Sequence, residues 1–258
     1  MKTPLRLLLT AGFMLACALG TLRAADNPRV YELRTYTATP GKLPNVLARF
    51  RDHTVKLFEK HGMVNIGYFV PTDAGDGANE KLIYVLEHAS RDAAKASWAA
   101  FNADPDWKAA RTASELEGKI VAKAESIFLS AADYSPAIKT GAAAKPRVFE
   151  LRTYTATEEK FPALDARFRD HTSRLIAKHG IGNIAYWHPT DADKGAGRTI
   201  IYLLAHASRE SATANWAAFS ADSEWIAAKA ASEKQAGGVL PTDFKSIFLT
   251  PTDFSTLK

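Results

Sequence analysis

The sequence predicts an α+β protein made of two tandem βαββαβ units. Residues 30–39 return as residues 148–157, and from residue 30 to residue 115 the two copies align without a gap. Roughly 60% of these positions are identical, which indicates a tandem duplication. Within each copy, apolar residues recur first at the two-residue period of a strand and then at helical spacing, in the order β-α-β-β-α-β.

The first half of each copy reads as a strand, a helix and a second strand. In the first copy, residues 29–37 alternate between an apolar and a polar face. Residues 42–61 carry apolar side chains at helical spacing, and Gly62 is placed to end that helix. A short apolar run at residues 64–70 then predicts the second strand.

The second half continues with a strand, two helical segments and a final strand. Residues 82–87 form the third predicted strand, and Ser90 is a suitable N-cap for a helix that runs to about residue 102. Asp104 followed by Pro105 is typical of a new helix start. Residues 120–129 complete the unit as the fourth strand, which gives the ferredoxin-like order.

Two such units in one chain suggest how the exposed sheet faces are buried. A single ferredoxin-like sheet carries its helices on one face and leaves the other face bare. Two covalently linked copies can place their bare faces together, which predicts an intrachain dimeric α+β barrel. The alternative is a pair of independent units joined by a linker, but short strands with an apolar face rarely stay exposed.

The N-terminal residues predict a leader, and the rest of the chain divides into three segments. Lys2 and Arg6 precede an apolar run at residues 7–19 that is too short to span a bilayer, a pattern typical of a cleaved signal peptide. We therefore expect a secreted or periplasmic protein without a membrane span after cleavage. In chain order, the predicted segments are a signal peptide at residues 1–24, a first domain at 28–133, a linker at 134–145 and a second domain at 146–254.

Composition narrows the possible partners and cofactors. The only cysteine, Cys17, lies in the predicted leader, so the mature chain would have neither disulfides nor thiolate ligands. Removing residues 1–24 leaves 30 basic and 28 acidic residues, and this balance argues against a nucleic-acid surface. The chain has neither His-x-His nor His-Glu-x-x-His spacing, so no metal site is expected. The sequence permits a homo-oligomer.

Several repeated motifs resemble the NIPSNAP family. They are the Tyr-Glu-Leu-Arg-Thr-Tyr opening strand at residues 31–36, the Lys-His-Gly helix end at residues 60–62, and the Trp-x-x-Phe-x-x-Asp-Pro-x-Trp segment at residues 98–107. The resemblance covers both copies, although Ser223 stands where the first copy has Pro105. It implies a dimeric α+β barrel, a superfamily that also holds monooxygenases and haem-degrading enzymes. The NIPSNAP branch itself implies no agreed reaction and no catalytic residues.

Polar side chains that share a strand face are the main candidates for a ligand site in the barrel interior. An acid, a cation and a phenol in this arrangement could hold a small carboxylate or phenol. The candidates are Glu32, Arg34, Tyr36, Tyr84 and His88, with their copies Glu150, Arg152, Tyr154, Tyr202 and His206. The alternative is that Glu and Arg pair across neighbouring strands as a buried ionic lock.

One histidine on the first helix of each copy is a secondary candidate. His53 and His171 fall on the predicted apolar stripe, where a histidine can act as a haem ligand or a general base. A core histidine bonded to a neighbouring group is the simpler reading, because a helix stripe packs on the covered face of the sheet. Haem is therefore a candidate cofactor, and the cofactor is otherwise unknown.

Three functions are compatible with the sequence. The first is an exported tandem barrel that binds a small molecule in its interior, without established catalysis. The second is a monooxygenase-like or haem-dependent oxidoreductase, which rests on the superfamily resemblance alone. The third is a structural or interaction scaffold. A barrel interior filled by side chains would contradict the first function, because a ligand would have no space inside the barrel.

Overall fold

The computed structural model describes residues 29–141 and 146–258. The predicted signal peptide and Cys17 lie outside these residues, as does the end of the predicted linker. Among the described helices, none combines the length and the apolar character needed to cross a bilayer.

The first unit has the predicted order of elements. Its elements are β1 (Val30–Ala38), α1 (Leu43–Arg49), a π-helical turn (Phe50–Thr54), α2 (Val55–Lys60), β2 (Val64–Pro71), β3 (Lys81–His88), α3 (Arg91–Ala103), α4 (Pro105–Ser114) and β4 (Val121–Ala131). As predicted, the Ser90 side chain caps α3 and the Asp104 side chain caps α4. The predicted single helix at residues 42–61 is divided by the π-helical turn, where the Thr54 hydroxyl donates to the Arg49 carbonyl (3.1 Å).

The second unit repeats this arrangement, including the π-helical turn. Its elements are β5 (Val148–Thr155), α5 (Phe161–Arg167), a π-helical turn (Phe168–Thr172), α6 (Ser173–Lys178), β6 (Gly182–Pro189), β7 (Thr199–His206), α7 (Arg209–Ala221), α8 (Ser223–Gln235) and β8 (Asp243–Pro251). Although Ser223 replaces proline, Asp222 still caps α8 through its side chain.

The eight strands close one barrel in the order β1-β3-β2-β8-β5-β7-β6-β4. Within each unit the strands pair antiparallel, and the units join where β2 pairs with β8 and β4 pairs with β6. The predicted intrachain α+β barrel is therefore confirmed. Closure leaves neither sheet with a free edge, which removes the usual template for aggregation.

Apolar side chains from both units pack inside the barrel. Phe69 of β2 meets Phe149 of β5 with ring centroids 5.0 Å apart, and Tyr31 of β1 meets Trp187 of β6 at 5.7 Å. Leu33 belongs to the same buried cluster. These large rings fill the space in which the sequence analysis placed a ligand, and each alternate residue of the strands points to the helices instead.

Candidate functional site

The structure corrects the position of the polar strand residues. Tyr31 and Leu33 face the barrel interior, so the intervening side chains of β1 lie on the opposite face, beneath the helices. The same alternation holds in β3, β5 and β7. The residues wrongly assigned to the interior are Glu32, Arg34, Tyr36, Tyr84, His88, Glu150, Arg152, Tyr154, Tyr202 and His206.

The helix-covered face can hold these charges because donors surround the buried carboxylate of Glu32. His88 Nε2 on the neighbouring strand β3 donates to Oε2 (3.0 Å), and the indole N–H of Trp98 on α3 donates to the same oxygen (2.7 Å). Ser126 on the other neighbour, β4, donates to Oε1 (2.6 Å), and Arg34 pairs with that oxygen. Glu32 is only 1% exposed, so these bonds replace its hydration.

These donors keep Glu32 charged. Burial alone would raise the pKa of this carboxyl, but the hydrogen bonds and the Arg34 charge outweigh burial and lower the pKa to about 2. Glu150 has the same set of partners in the second unit, and its pKa is also lowered to about 2. The ionic-lock interpretation is thus correct about burial. It is wrong about the pairing, because Glu32 and Arg34 lie on one strand and the cross-strand partners are histidine and serine.

A cleft of about 440 Å³ opens beside this network in the first unit. It lies between helices α3–α4 and strands β1 and β4. Its walls carry four cationic side chains, one carboxylate and four aromatic rings. The charged and aromatic residues are Arg34, Arg49, Arg111, Lys119, Glu115, Tyr36, Trp98, Phe101 and Trp107. Arg34 and Tyr36 are therefore brought together, in this cleft and not in the barrel.

The two arginines at the base of the cleft are held by aromatic rings. The Arg34 guanidinium lies 4.3 Å from the Trp98 ring centroid, and that of Arg49 lies 5.2 Å from Trp107. Arg49 is also paired with Glu115 (3.2 Å). The Nε atoms of both arginines are buried without a hydrogen-bond partner. The Nε atoms of Arg152 and Arg167 in the second unit are buried in the same way, so this feature belongs to the frame that the two units share. An anion in the cleft would be attracted by the charge of the two guanidinium groups.

The second unit has the same arginine–tryptophan pairs, but a different residue lies beside the first of them. Arg152 lies 4.3 Å from the Trp216 ring, and Arg167 lies 5.3 Å from Trp225. The ring of Phe244, however, lies over Arg152 at 5.6 Å. The corresponding position on β4 is Ala124, which lines the open cleft. A cavity of about 410 Å³ remains next to Trp225, on residues that correspond to the outer part of the first cleft, but neither Arg152 nor Tyr154 lines it.

The other predicted residues lie away from the cleft. Tyr84 and Tyr202 are buried among the aromatic rings beneath the helices, and burial raises the pKa of both well above the usual value. His88 and His206 are buried and bonded to the glutamates.

His53 and His171 do not lie on the buried stripe. His53 is exposed and His171 is partly exposed, because both fall in the π-helical turns, where an extra residue rotates the helix surface.

Sequence reasoning missed the residues that complete the cleft. Arg49 was not singled out, Trp107 was noted only within the segment at residues 98–107, and Ala124 carried no signal of its own. A comparison of the two copies could have revealed the last, since the β1–β4 and β5–β8 registers place Ala124 opposite Tyr36 and Phe244 opposite Tyr154.

The geometry gives little support to a metal or haem site. Within residues 29–141 and 146–258, no group of three or more His, Cys, Asp or Glu side chains is arranged to hold a metal ion. The histidines named as candidates are either bonded to a glutamate or placed on the outer helix surface. None of them lines the cleft in the described part of the chain.

Comparisons with known proteins agree with this architecture. A putative monooxygenase from Fusobacterium nucleatum superposes with a TM-score of 0.56 at 7% identity, covering 90% of this chain and 98% of that chain. A putative monooxygenase from Lactobacillus acidophilus gives 0.53 at 12% identity, with coverage of 87% and 94%. An anthrone oxidase-like protein gives 0.55 at 12% identity, with coverage of 90% and 95%. At these identities the likeness shows the fold alone.

The family assignment comes from the sequence. No curated protein matches this chain at a significant level. The NIPSNAP family profile matches twice, at residues 31–136 and 149–256, which together span most of the chain. These two segments are the two halves of the closed barrel. The chain therefore belongs to the NIPSNAP family, as a tandem form with one family domain in each unit.

Proposed function

We propose that the first unit binds a small aromatic anion in the cleft between α3–α4 and β1–β4. The observation that carries this proposal is the Arg34 guanidinium, which Glu32 and Trp98 hold at the wall of an open cleft. An excess of cationic over acidic side chains around the same space favours an anion.

The aromatic walls suggest the remainder of the ligand. Tyr36, Trp98 and Trp107 offer ring faces and edges, which bury a flat apolar body at little entropic cost. A carboxylate or phenolate on that body would accept from the arginines in a partly dehydrated site, where a charge-assisted bond is stronger than in water. Small aromatic acids and acidic phenols combine these two features.

The matched pair Arg34→Met and Arg152→Met tests this proposal. Each substitution removes an arginine from the buried network of its own unit, and the two networks are equivalent, so we expect similar losses of stability from both. Only Arg34→Met should weaken the binding of 1-hydroxy-2-naphthoate, by at least about tenfold, the affinity expected of a charge-assisted bond. Titration calorimetry and urea unfolding of the two variants measure both effects. Equal affinity of both variants and the wild type would reject the cleft as the site.

Oxidation of the bound ligand is a second candidate function. Structures with the same barrel are named as putative monooxygenases and as anthrone oxidase-like, and the aromatic walls of the cleft suit an oxidisable phenol. Oxygen uptake by the purified protein with a hydroquinone or a naphthol tests this. Uptake that Arg34→Met abolishes and Arg152→Met retains would support an enzyme, and binding without uptake would leave the protein as a binder.

Export is proposed separately, from the leader pattern at residues 1–24. Expression of the full chain in a bacterial host, followed by intact mass measurement of the soluble product, should show a mass reduced by the leader. A full-length product that stays inside the cell would contradict export.

A further inference from the structure

We propose that Phe244 occupies the second cleft as an internal aromatic plug, so that each chain carries one open ligand site. The ring of the ligand in the first unit would then take the place that Phe244 takes in the second. This inference rests on the proposed function and adds the stoichiometry of binding and the position of the ligand ring.

Strand register establishes that the two positions correspond. Tyr36 of β1 is paired with Ala124 of β4, and Tyr154 of β5 is paired with Phe244 of β8. Ala124 and Phe244 lie on the last strand of their units, each beside the first strand, which carries the charged residues. The change from a methyl group to a benzyl group therefore places a ring where the first unit has space.

The contacts of Phe244 are those expected of a bound aromatic ring. Its ring lies 5.6 Å from the Arg152 guanidinium and meets Tyr154 edge-on, with centroids 5.8 Å apart. Arg152 also donates to the Tyr154 hydroxyl (3.0 Å). Among the described residues of the first unit no hydrogen bond joins Arg34 to Tyr36, which leaves the corresponding groups available to a ligand.

The position of Phe244 is poorly explained by core packing alone. The residue is 60% exposed, whereas the large side chains of the core are almost fully buried. A phenylalanine held at the surface gains little from the hydrophobic effect. Its contact with a cation and a phenol is the interaction that the structure shows for it.

The rest of the second cleft retains the features of the first. Glu150 keeps the full set of donors that surround Glu32, and Trp216 stacks on Arg152 at the same 4.3 Å that separates Trp98 from Arg34. Because the frame is the same, removal of the Phe244 ring should expose a second site of the same kind.

Exchange of the two wall residues tests this inference with 1-hydroxy-2-naphthoate and titration calorimetry. We expect one site in the wild type, two in Phe244→Ala, none in Ala124→Phe and one in the double exchange. One site in both the wild type and Phe244→Ala would overturn the plug while leaving the first-unit site in place. Phe244 is largely exposed, so its truncation should not unfold the protein.

Iodide quenching of tryptophan fluorescence provides a readout that needs no ligand. Iodide is an anion small enough to enter either cleft, and Trp216 contacts the same arginine, Arg152, as Phe244 does. Phe244→Ala should increase the quenching constant by about twofold, and Ala124→Phe should lower it. Absence of binding in every variant would reject the proposed function, whereas unchanged quenching in Phe244→Ala would reject the plug, so the two failures are distinguishable.

Discussion

The two units share a buried frame and differ at its surface. Each holds a glutamate among a histidine, a serine, a tryptophan and an arginine, with closely matched distances. The first unit has Ala124 beside this frame and an open cleft, whereas the second has Phe244, whose ring lies over Arg152. The comparison teaches that the same buried network can lie beneath two different surfaces, and we expect the residue at the position of Ala124 and Phe244 to decide where a ligand can enter.

A second difference lies at the two joints between the units. Beside the β2–β8 joint, Leu47, Val70 and Phe254 form an apolar contact with the helix layer. The corresponding residues of the other joint are polar: Asp165 accepts from the Tyr134 hydroxyl (2.8 Å) and from His188 Nε2 (2.9 Å). Backbone pairing joins the strands at both joints, and the difference is that these three side-chain positions are apolar at one joint and hydrogen-bonded at the other.

The largest expected effect comes from disrupting the shared glutamate network. Glu32→Gln and Glu150→Gln each remove the charge that faces an arginine and leave buried donors poorly matched, which costs about 3–5 kcal/mol of unfolding free energy. Urea unfolding should give similar losses for the two variants, whereas the affinity for 1-hydroxy-2-naphthoate should fall only in Glu32→Gln. A much milder loss in one unit would show that its network is not structural.

Acid should destabilise both units through the same two carboxylates. The pKa of Glu32 and that of Glu150 are lowered from 4.5 to about 2, so the folded state binds fewer protons than the unfolded state. Their stabilisation is complete above pH 4.5 and is lost as the pH falls towards 2, by roughly 3 kcal/mol for each carboxylate. Unfolding free energies measured between pH 6 and pH 2 check this, and Glu150→Gln should remove the share of the dependence that belongs to Glu150.

Conversion of the polar joint to the apolar one should have a smaller effect. Asp165→Ala leaves His188 and Tyr134 without their acceptor and should cost about 1–3 kcal/mol. The triple variant Asp165→Leu, His188→Val and Tyr134→Phe copies the other joint and should recover most of that loss. Thermal unfolding of both variants measures the difference. A triple variant less stable than Asp165→Ala would show that the two joints require different packing.

The smallest effect is expected at the histidines of the π-helical turns. His53 is exposed and His171 is partly exposed, so His53→Ala and His171→Ala should each change the unfolding free energy by less than about 0.5 kcal/mol. Ligand binding and iodide quenching should also stay unchanged. A clear loss of binding in either variant would place a functional role on the outer helix surface.

Much of the fold could be predicted because its signals are local or repeated. The strand and helix order, the caps at Ser90 and Asp104 and the closed barrel follow from residue spacing and from the duplication. The division of the first helix could not be read from the same pattern, because a π-helical turn inserts one residue without changing the composition. The apolar stripe therefore predicted the wrong orientation for His53.

The candidate site was predicted only in part. Alternation in β1 correctly grouped Glu32, Arg34 and Tyr36 on one face, but it does not tell which face meets the barrel and which meets the helices. That choice depends on partners such as Trp98, which reaches Glu32 from 66 residues away, and on the lack of polar partners among the barrel's large rings.

The sequence by itself determined the duplication, the order of elements, the absence of cysteine beyond position 17 and the family. Only the tertiary structure decided that the charged face lies beneath the helices, that Arg34 and Arg49 share a cleft, and that the Phe244 ring lies over Arg152 in the second unit. The physical reason is that periodicity records local geometry, whereas the environment of a charge is set by residues that approach it from distant parts of the chain.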